Sequence, residues 1–252
     1  MKTLALASTL ALFAACTSSN DKSSSDITQD EYDDVAQSVG TSTTTTSGGG
    51  EVGAMADVVV IATGTLPLGF SLDASGKIDG SHLGVDYSYQ VTCKDASGAT
   101  LPACTNLTDS ATASLSWSGN LTLPDFSSSV SRTGMWTVSG LQSSTASFGG
   151  NGTFMYDAMI TNPARNTAVS YALSYDATYD AVLVNTATKL AIGGSIHYEI
   201  DATKDKGGSD TQTFSLSADV TFNADSTATI VLDGTHTYSL NLSTGVVVSV
   251  SN

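Results

Sequence analysis

Alternation of apolar and polar residues with a period of two runs through most of this chain and constrains its fold more than any other feature. The longest example alternates with small or polar residues and comprises Val169, Tyr171, Leu173, Tyr175, Ala177 and Tyr179. A period of two is that of a β-strand with one buried face. Shorter series of the same kind recur from Phe70 to Val250, separated by turn sequences such as Asp233-Gly234. Successive strands joined by tight turns indicate antiparallel hairpins.

Each predicted strand has one apolar face and one face rich in Ser, Thr and Asp, so the sheet should be covered on one side only. About a dozen strands cannot remain flat in a single sheet. The sequence therefore predicts an all-β domain over residues 51–252, in which a large antiparallel meander curls into a barrel, a half-barrel or a sandwich. Asn162-Pro163-Ala164 marks a loop between two halves of that domain.

One or two short helices are predicted before the strands. Thr28 and Glu31 have the spacing of a capping box, and Gly40 can end a helix that begins there. The apolar stripe of this helix, near residues 28–39, consists of Tyr32, Val35, Ala36 and Val39. The second segment, Glu51 to Thr63, has helical spacing of its apolar residues, although Val58-Val59-Val60-Ile61 also suits a buried strand. We expect a helix there.

The first sixteen residues have the layout of an export signal. Lys2 is followed by an apolar run from Leu4 to Phe13 and then by Ala14-Ala15-Cys16. The run is too short to cross a bilayer, which needs about 20 residues. This layout resembles the leader of bacterial lipoproteins, in which cleavage occurs before a cysteine that then carries the lipid. The alternative is a secreted soluble protein with a free thiol.

The resemblance implies a signal peptide over residues 1–15, and acyl chains such as palmitate on Cys16 that attach the chain to the membrane of the cell envelope. Lipoproteins that stay in the inner membrane tend to have Asp directly after the cysteine. This chain has Thr17 there, which implies the outer membrane. The resemblance does not indicate whether the domain lies on the periplasmic or the outer face of that membrane. More than half of residues 17–50 are Ser, Thr or Gly. Residues 16–50 are therefore predicted to be a tether that carries the helix near 28–39. About eleven helical residues are marginally stable alone in water, so we expect this helix to dock on the domain or else to fray.

Charge and cysteine content restrict the partners. The net charge is −15, from 24 acidic residues against nine Lys and Arg. This balance excludes nucleic acid, whose phosphates need a basic surface, and disfavours binding of anionic lipid headgroups by charge. Cys93 and Cys104 are predicted to form a disulfide, as expected for a pair in an exported protein. Asp residues fall mostly in turns, which they cap, and no calcium-binding loop motif is present.

A polar row on one predicted strand is the only candidate for chemistry. His197, Glu199 and Asp201 share one strand face, where such residues could bind a metal or pair a base with an acid. The ordinary interpretation is a solvated strand face, and we favour it. A regular hairpin would place Thr213 and Ser215 beside the row, and these hydroxyls add no further acid or imidazole. No motif of a nucleotide-binding loop, a nucleophile elbow or a metalloprotease is present, so we expect no enzyme activity and no cofactor.

Three hypotheses for function remain. The first is a non-catalytic structural or interaction module of the envelope that binds an unknown protein or glycan. The second is a carrier whose half-barrel encloses an apolar ligand such as a lipid, with aromatic side chains lining it. The third, an enzyme built on the polar row, is the least favoured. Trp117 and the tyrosines on apolar faces are expected to pack in the core rather than to stack on sugars.

Overall fold

The computed structural model describes residues 21–22, 26–44, 50–82, 84–123, 126–162, 167–205 and 211–250. The leader, Cys16 and the loop at residues 163–166 lie outside the described residues. The chain begins with strand β1, Asp21–Lys22, and helices α1, Gln29–Thr43, and α2, Glu51–Ala62. Six strands follow: β2 Phe70–Leu72, β3 Lys77–His82, β4 Val85–Lys94, β5 Ser110–Leu123, β6 Phe126–Ser139 and β7 Thr145–Asn162. The last six are β8 Thr167–Asn185, β9 Ala191–Asp205, β10 Thr211–Phe222, β11 Thr227–Leu232, β12 His236–Asn241 and β13 Val247–Ser249.

The strands form one antiparallel meander in which every strand from β2 to β13 pairs with the next in sequence. Among the described residues, β2 and β13 occupy the two ends of the order and do not pair with each other, so the sheet is open. This confirms the predicted all-β meander with short N-terminal helices. Strand β1 was not predicted from the sequence. Its Asp21 pairs in parallel with Thr213 of β10, in the part of β10 that precedes its pairing with β11.

Burial follows the predicted period of two. In β7 and β8, every second side chain from Gly152 to Ile160 and from Tyr171 to Tyr179 is buried, and those between are exposed. The buried side chains form one core cluster that also contains the apolar residues of α1 and α2. We call the helix-covered side of the sheet the apolar face and the other side the polar face.

Helix α1 docks on the domain, as expected for so short a helix, and its apolar residues belong to the core although the surrounding segment was predicted to be a tether. Val35, Ala36 and Val39 are fully buried. Two sheet tyrosines also donate hydrogen bonds to the helix, Tyr171 to Asp34 at 3.0 Å and Tyr175 to Ser38 at 2.7 Å. The predicted capping box is present: Glu31 N–H bonds to Thr28 Oγ1, and Thr28 N–H bonds to the Glu31 carboxylate. The polar composition of this segment thus did not prevent its burial.

Helix α1 does not end at Gly40, as the sequence predicted, but continues to Thr43. The hydroxyls of Ser42 and Thr43 both donate to the carbonyl of Val39, which satisfies polar groups that would otherwise be buried alone. Gly40 has a packing role instead. A Cβ at this position would lie 2.3 Å from Val247 Cγ2, so any side chain here would require Val247 of β13 to shift. The predicted second helix is also present as α2, over Glu51–Ala62.

Candidate functional site

The polar row lies where it was expected, on the polar face of strand β9. His197 is directly opposite Asp219 of β10, Glu199 is opposite Ser217, and Asp201 is opposite Ser215. The predicted neighbour Ser215 is therefore present, whereas Thr213 pairs with Thr203 and not with the row. Asp219 was missed because the register of β9 and β10 depends on their connecting turn, which the sequence does not determine.

His197 bridges two carboxylates. Its Nδ1 is 2.7 Å from Asp219 Oδ1 and its Nε2 is 3.1 Å from Glu199 Oε1. The hydrogen bond to Asp219, followed by the bond to Glu199, raises the pKa of His197 above its usual 6.5, because both partners favour the imidazolium. The imidazole side chain is 44 % exposed.

This geometry is that of a surface ion network. Both nitrogens of the ring are engaged, so neither is directed at a third group that it could activate. Asp201 accepts a hydrogen bond from Ser215 instead of joining the histidine. Within the described ranges, no group of three or more His, Cys, Asp or Glu side chains is arranged to hold a metal ion. The chemistry that this arrangement supports is the binding of a proton by His197 between two carboxylates on the polar face.

A second polar cluster, which sequence reasoning missed, lies on the opposite side of the sheet. Arg132 of β6 and Glu51, the first residue of α2, form a fully buried ion pair with Nε and Oε1 2.9 Å apart. Arg132 Nη2 also donates to Glu51 Oε2 at 2.9 Å and to the hydroxyl of Tyr179 at 2.8 Å. Burial raises the pKa of Glu51 to about 7, and Arg132 opposes that rise.

Aromatic rings enclose the guanidinium of Arg132. Its Cζ lies 4.7 Å from the ring centroid of Trp136 and 4.8 Å from that of Phe154. Such contacts stabilise a desolvated cation by about 2 kcal/mol or more each. The sequence contained one signal of this cluster, because Arg132 has the same parity in its strand as the apolar residues Val130, Trp136 and Val138. A charged residue on an apolar strand face needs a buried partner.

The predicted disulfide is present, with the Sγ atoms of Cys93 and Cys104 bonded. Trp117 and the tyrosines named above are buried in the core, as expected. Three turn carboxylates cap their own turns: Asp73 Oδ1 accepts from Ser75 and Lys77 backbone N–H groups, and Asp95 and Asp225 make similar bonds. Hydroxyl hydrogen bonds from Ser75 to Asp73, Ser97 to Asp95 and Thr227 to Asp225, followed by these backbone bonds, lower the pKa of all three carboxyl groups.

The polar face carries three shallow depressions of about 860, 850 and 560 Å³. The first two share Ser131 and Met155, and the first and third share Ser129, Asp157, Ala172 and Thr203. They therefore form one continuous depression across the middle strands, which we call the polar groove. No helix of the described residues is both long and apolar enough to cross a membrane. The chain matches no protein-family model, no curated protein and no solved structure.

Proposed function

We propose that this chain is a lipid-anchored, non-catalytic β-domain of the cell envelope, most simply of the outer membrane, whose polar sheet face binds a partner. The observation that carries the proposal is the contrast between the two faces of the sheet. The apolar face is covered by helices α1 and α2 of the same chain. The polar face, which contains the polar groove, is not covered by any of the described helices or strands. An open, structured polar surface beside a filled core is what an interaction module requires.

The carrier hypothesis needs a dry cavity between the curled sheet and solvent, reached through an open mouth. In the described residues, Val35, Val39, Met55 and Val59 of the two helices occupy that position and are fully buried. The large depressions lie on the other side of the sheet, where hydroxyls and carboxylates would meet an apolar ligand. We therefore base the proposal on the interaction module and not on the carrier.

Attachment to the membrane is proposed from the lipoprotein-like leader with Cys16. Only five peptide steps separate Cys16 from Asp21, which is paired with Thr213 at the start of β10. That distance is at most ~17 Å for a fully extended chain. An acyl group on Cys16 would hold the sheet end formed by the start of β10 and the N-terminus of α1 close to the bilayer. The loops after β4, β6 and β8 would then point away from it.

Replacement of Cys16 tests the anchor. The wild-type chain should fractionate with the envelope, and mass spectrometry of its purified mature form should find acyl chains on an N-terminal Cys16. The Cys16→Ser variant should lose both properties, whereas a Thr17→Ser control should keep them. If Cys16→Ser still pellets with envelopes as a fully processed species, the proposed anchor is wrong.

A further inference from the structure

The polar groove is negatively charged. The aspartates that line it are Asp79, Asp86, Asp157, Asp201 and Asp205. Among the described residues, the exposed cation that lines it is Lys77, whose Nζ is 2.9 Å from Asp79 and so neutralises that carboxylate locally. Arg132 borders the groove by its backbone position, but its side chain is buried on the apolar face with Glu51. The groove thus favours positively charged ligands.

Serine hydroxyls lie beside the carboxylates at the centre of the groove. Ser215 donates to Asp201, and Ser129 Oγ lies 3.5 Å from Asp157 Oδ2. A hydroxyl donor orients a carboxylate without cancelling its charge, and each carboxylate has further acceptor positions. Asp157 and Asp201 are therefore available to accept charge-assisted hydrogen bonds from a ligand.

Apolar side chains flank the central carboxylate. Met155 and Met159, which are 59 % and 51 % exposed, lie on either side of Asp157 on the polar face of β7. Opposite Asp157 on β8 is the small residue Ala172, which leaves the groove open at this point. A carboxylate between two thioethers matches a lysine or arginine side chain, whose aliphatic stem packs on apolar atoms while its charged end reaches an acid.

We propose that the polar groove binds an extended, basic segment of polypeptide. This inference rests on the proposed function, because it assigns a class of partner to the exposed sheet face. Asp157 on β7 is level with Thr203 on β9, so Asp201 lies two strand spacings across and two residues along the sheet, about 12 Å away, which is on the order of three to four residues of an extended chain. Basic residues at that interval can contact both carboxylates at once. The methionines favour a polypeptide over a cationic glycan, which lacks long aliphatic stems.

Binding of a synthetic peptide tests the inference. The purified full chain, in mild detergent, is titrated at about 0.15 M salt with a labelled peptide of about twelve alternating lysine and serine residues. A peptide with glutamate in place of lysine is the control ligand. We expect the basic peptide alone to bind, and we expect the pair Asp157→Asn and Asp201→Asn to weaken it about tenfold.

A matched control pair separates the groove from general surface charge. Asp176→Asn and Asp180→Asn remove the same charge from the same sheet face, but neither residue lines the groove. This pair should weaken binding less than about twofold, since screened charges outside the site contribute little. Equal losses for both pairs, or no binding of the basic peptide, would overturn the proposal. Equal, groove-dependent binding of a chitosan oligomer would overturn the assignment to polypeptide.

The two proposals fail separately. Peptide binding is measured with the purified chain and does not depend on where that chain resides in the cell. If the chain does not fractionate with the envelope, the expected peptide binding is unchanged. If the basic peptide does not bind, the proposed anchor is not contradicted. Unfolding curves of both variant pairs should match the wild type, because all four side chains are exposed.

Discussion

Arg132 and Glu51 form a completely buried ion pair that joins the middle of strand β6 to the first residue of helix α2. The pair fixes where α2 begins on the apolar face, and the aromatic rings around the guanidinium exclude water from it. A buried pair of this kind costs desolvation energy when it forms. The pair should therefore affect stability most clearly when one partner is removed and the other stays buried without a counter-charge.

Removal of either partner should destabilise the domain. Arg132→Met leaves the Glu51 carboxyl group buried without a cation, and Glu51→Gln leaves the guanidinium buried without an anion. Each variant should lower the free energy of unfolding by about 3–5 kcal/mol. Urea denaturation followed by tryptophan fluorescence measures this, because Trp117 and Trp136 both lie near Arg132.

The double variant, Arg132→Met with Glu51→Gln, provides the control. It contains no unpaired buried charge, so it should lose less stability than the sum of the two single variants. Strict additivity in this cycle, or single variants that cost less than about 1 kcal/mol, would contradict the role assigned to the pair.

Gly40→Ala should also destabilise the domain, although alanine is normally the better helix residue by about 1 kcal/mol. The new methyl group would clash with Val247 Cγ2 at 2.3 Å. Overpacking of this kind costs about 1–3 kcal/mol. Val247→Ala in the Gly40→Ala background should recover part of the loss in urea denaturation. If Gly40→Ala raises the stability instead, α1 does not pack against β13 as described.

The strands were predictable because a period of two is a local property: each residue's face follows from its neighbours in sequence. The capping box of Thr28 and Glu31 is equally local, and it correctly located the start of α1. The docking of α1 through its apolar stripe was also expected, but the burial of its polar last turn was not predictable in this way. The composition of Thr41, Ser42 and Thr43 is that of a linker, yet they are buried, because carbonyls of the preceding helical turn accept hydrogen bonds from their hydroxyls. Such partners exist only in the folded chain.

The candidate sites also combine residues that a local sequence pattern groups with residues that only the folded chain brings together. His197 and Glu199 could be grouped from sequence because they alternate on one strand, but Asp219 is 22 residues away and joins them only through strand register. Arg132 and Glu51 are 81 residues apart. The parity of Arg132 indicated that it needed a buried partner, whereas nothing in the sequence identified Glu51 as that partner.

Loss of the disulfide should destabilise the domain by about 3 kcal/mol, which is the loop-closure estimate for a short loop. Cys93 and Cys104 are 11 positions apart and close the loop that lies against Gly64, just after α2. The variant Cys93→Ala with Cys104→Ser should therefore melt at a lower temperature than the wild type. Reduction of the wild-type protein should produce a similar shift and should leave the double variant unchanged. A wild-type melting temperature insensitive to complete reduction would contradict this expectation.

The last prediction concerns the pH dependence of the His197 network. Asp219 and Glu199 raise the pKa of His197 in the folded state above its usual 6.5, so the folded protein binds the proton more tightly than the unfolded chain. The resulting stabilisation is fully present below 6.5 and is lost as the pH rises through the folded-state pKa. Because the side chain is partly exposed, the effect should be below about 1 kcal/mol.

Two measurements test this sign. NMR titration of the His197 ring should give a pKa above 6.5 in the wild type and a lower one in Asp219→Asn, with Asp180→Asn as a charge-matched control on the same face. The difference in unfolding free energy between about pH 6 and about pH 8 should be smaller in His197→Gln than in the wild type. The buried Glu51, whose pKa of about 7 also lies above its usual 4.5, contributes in the same direction to both proteins and cancels in that comparison. A wild-type His197 pKa at or below 6.5 would show that its two carboxylates do not hold the proton.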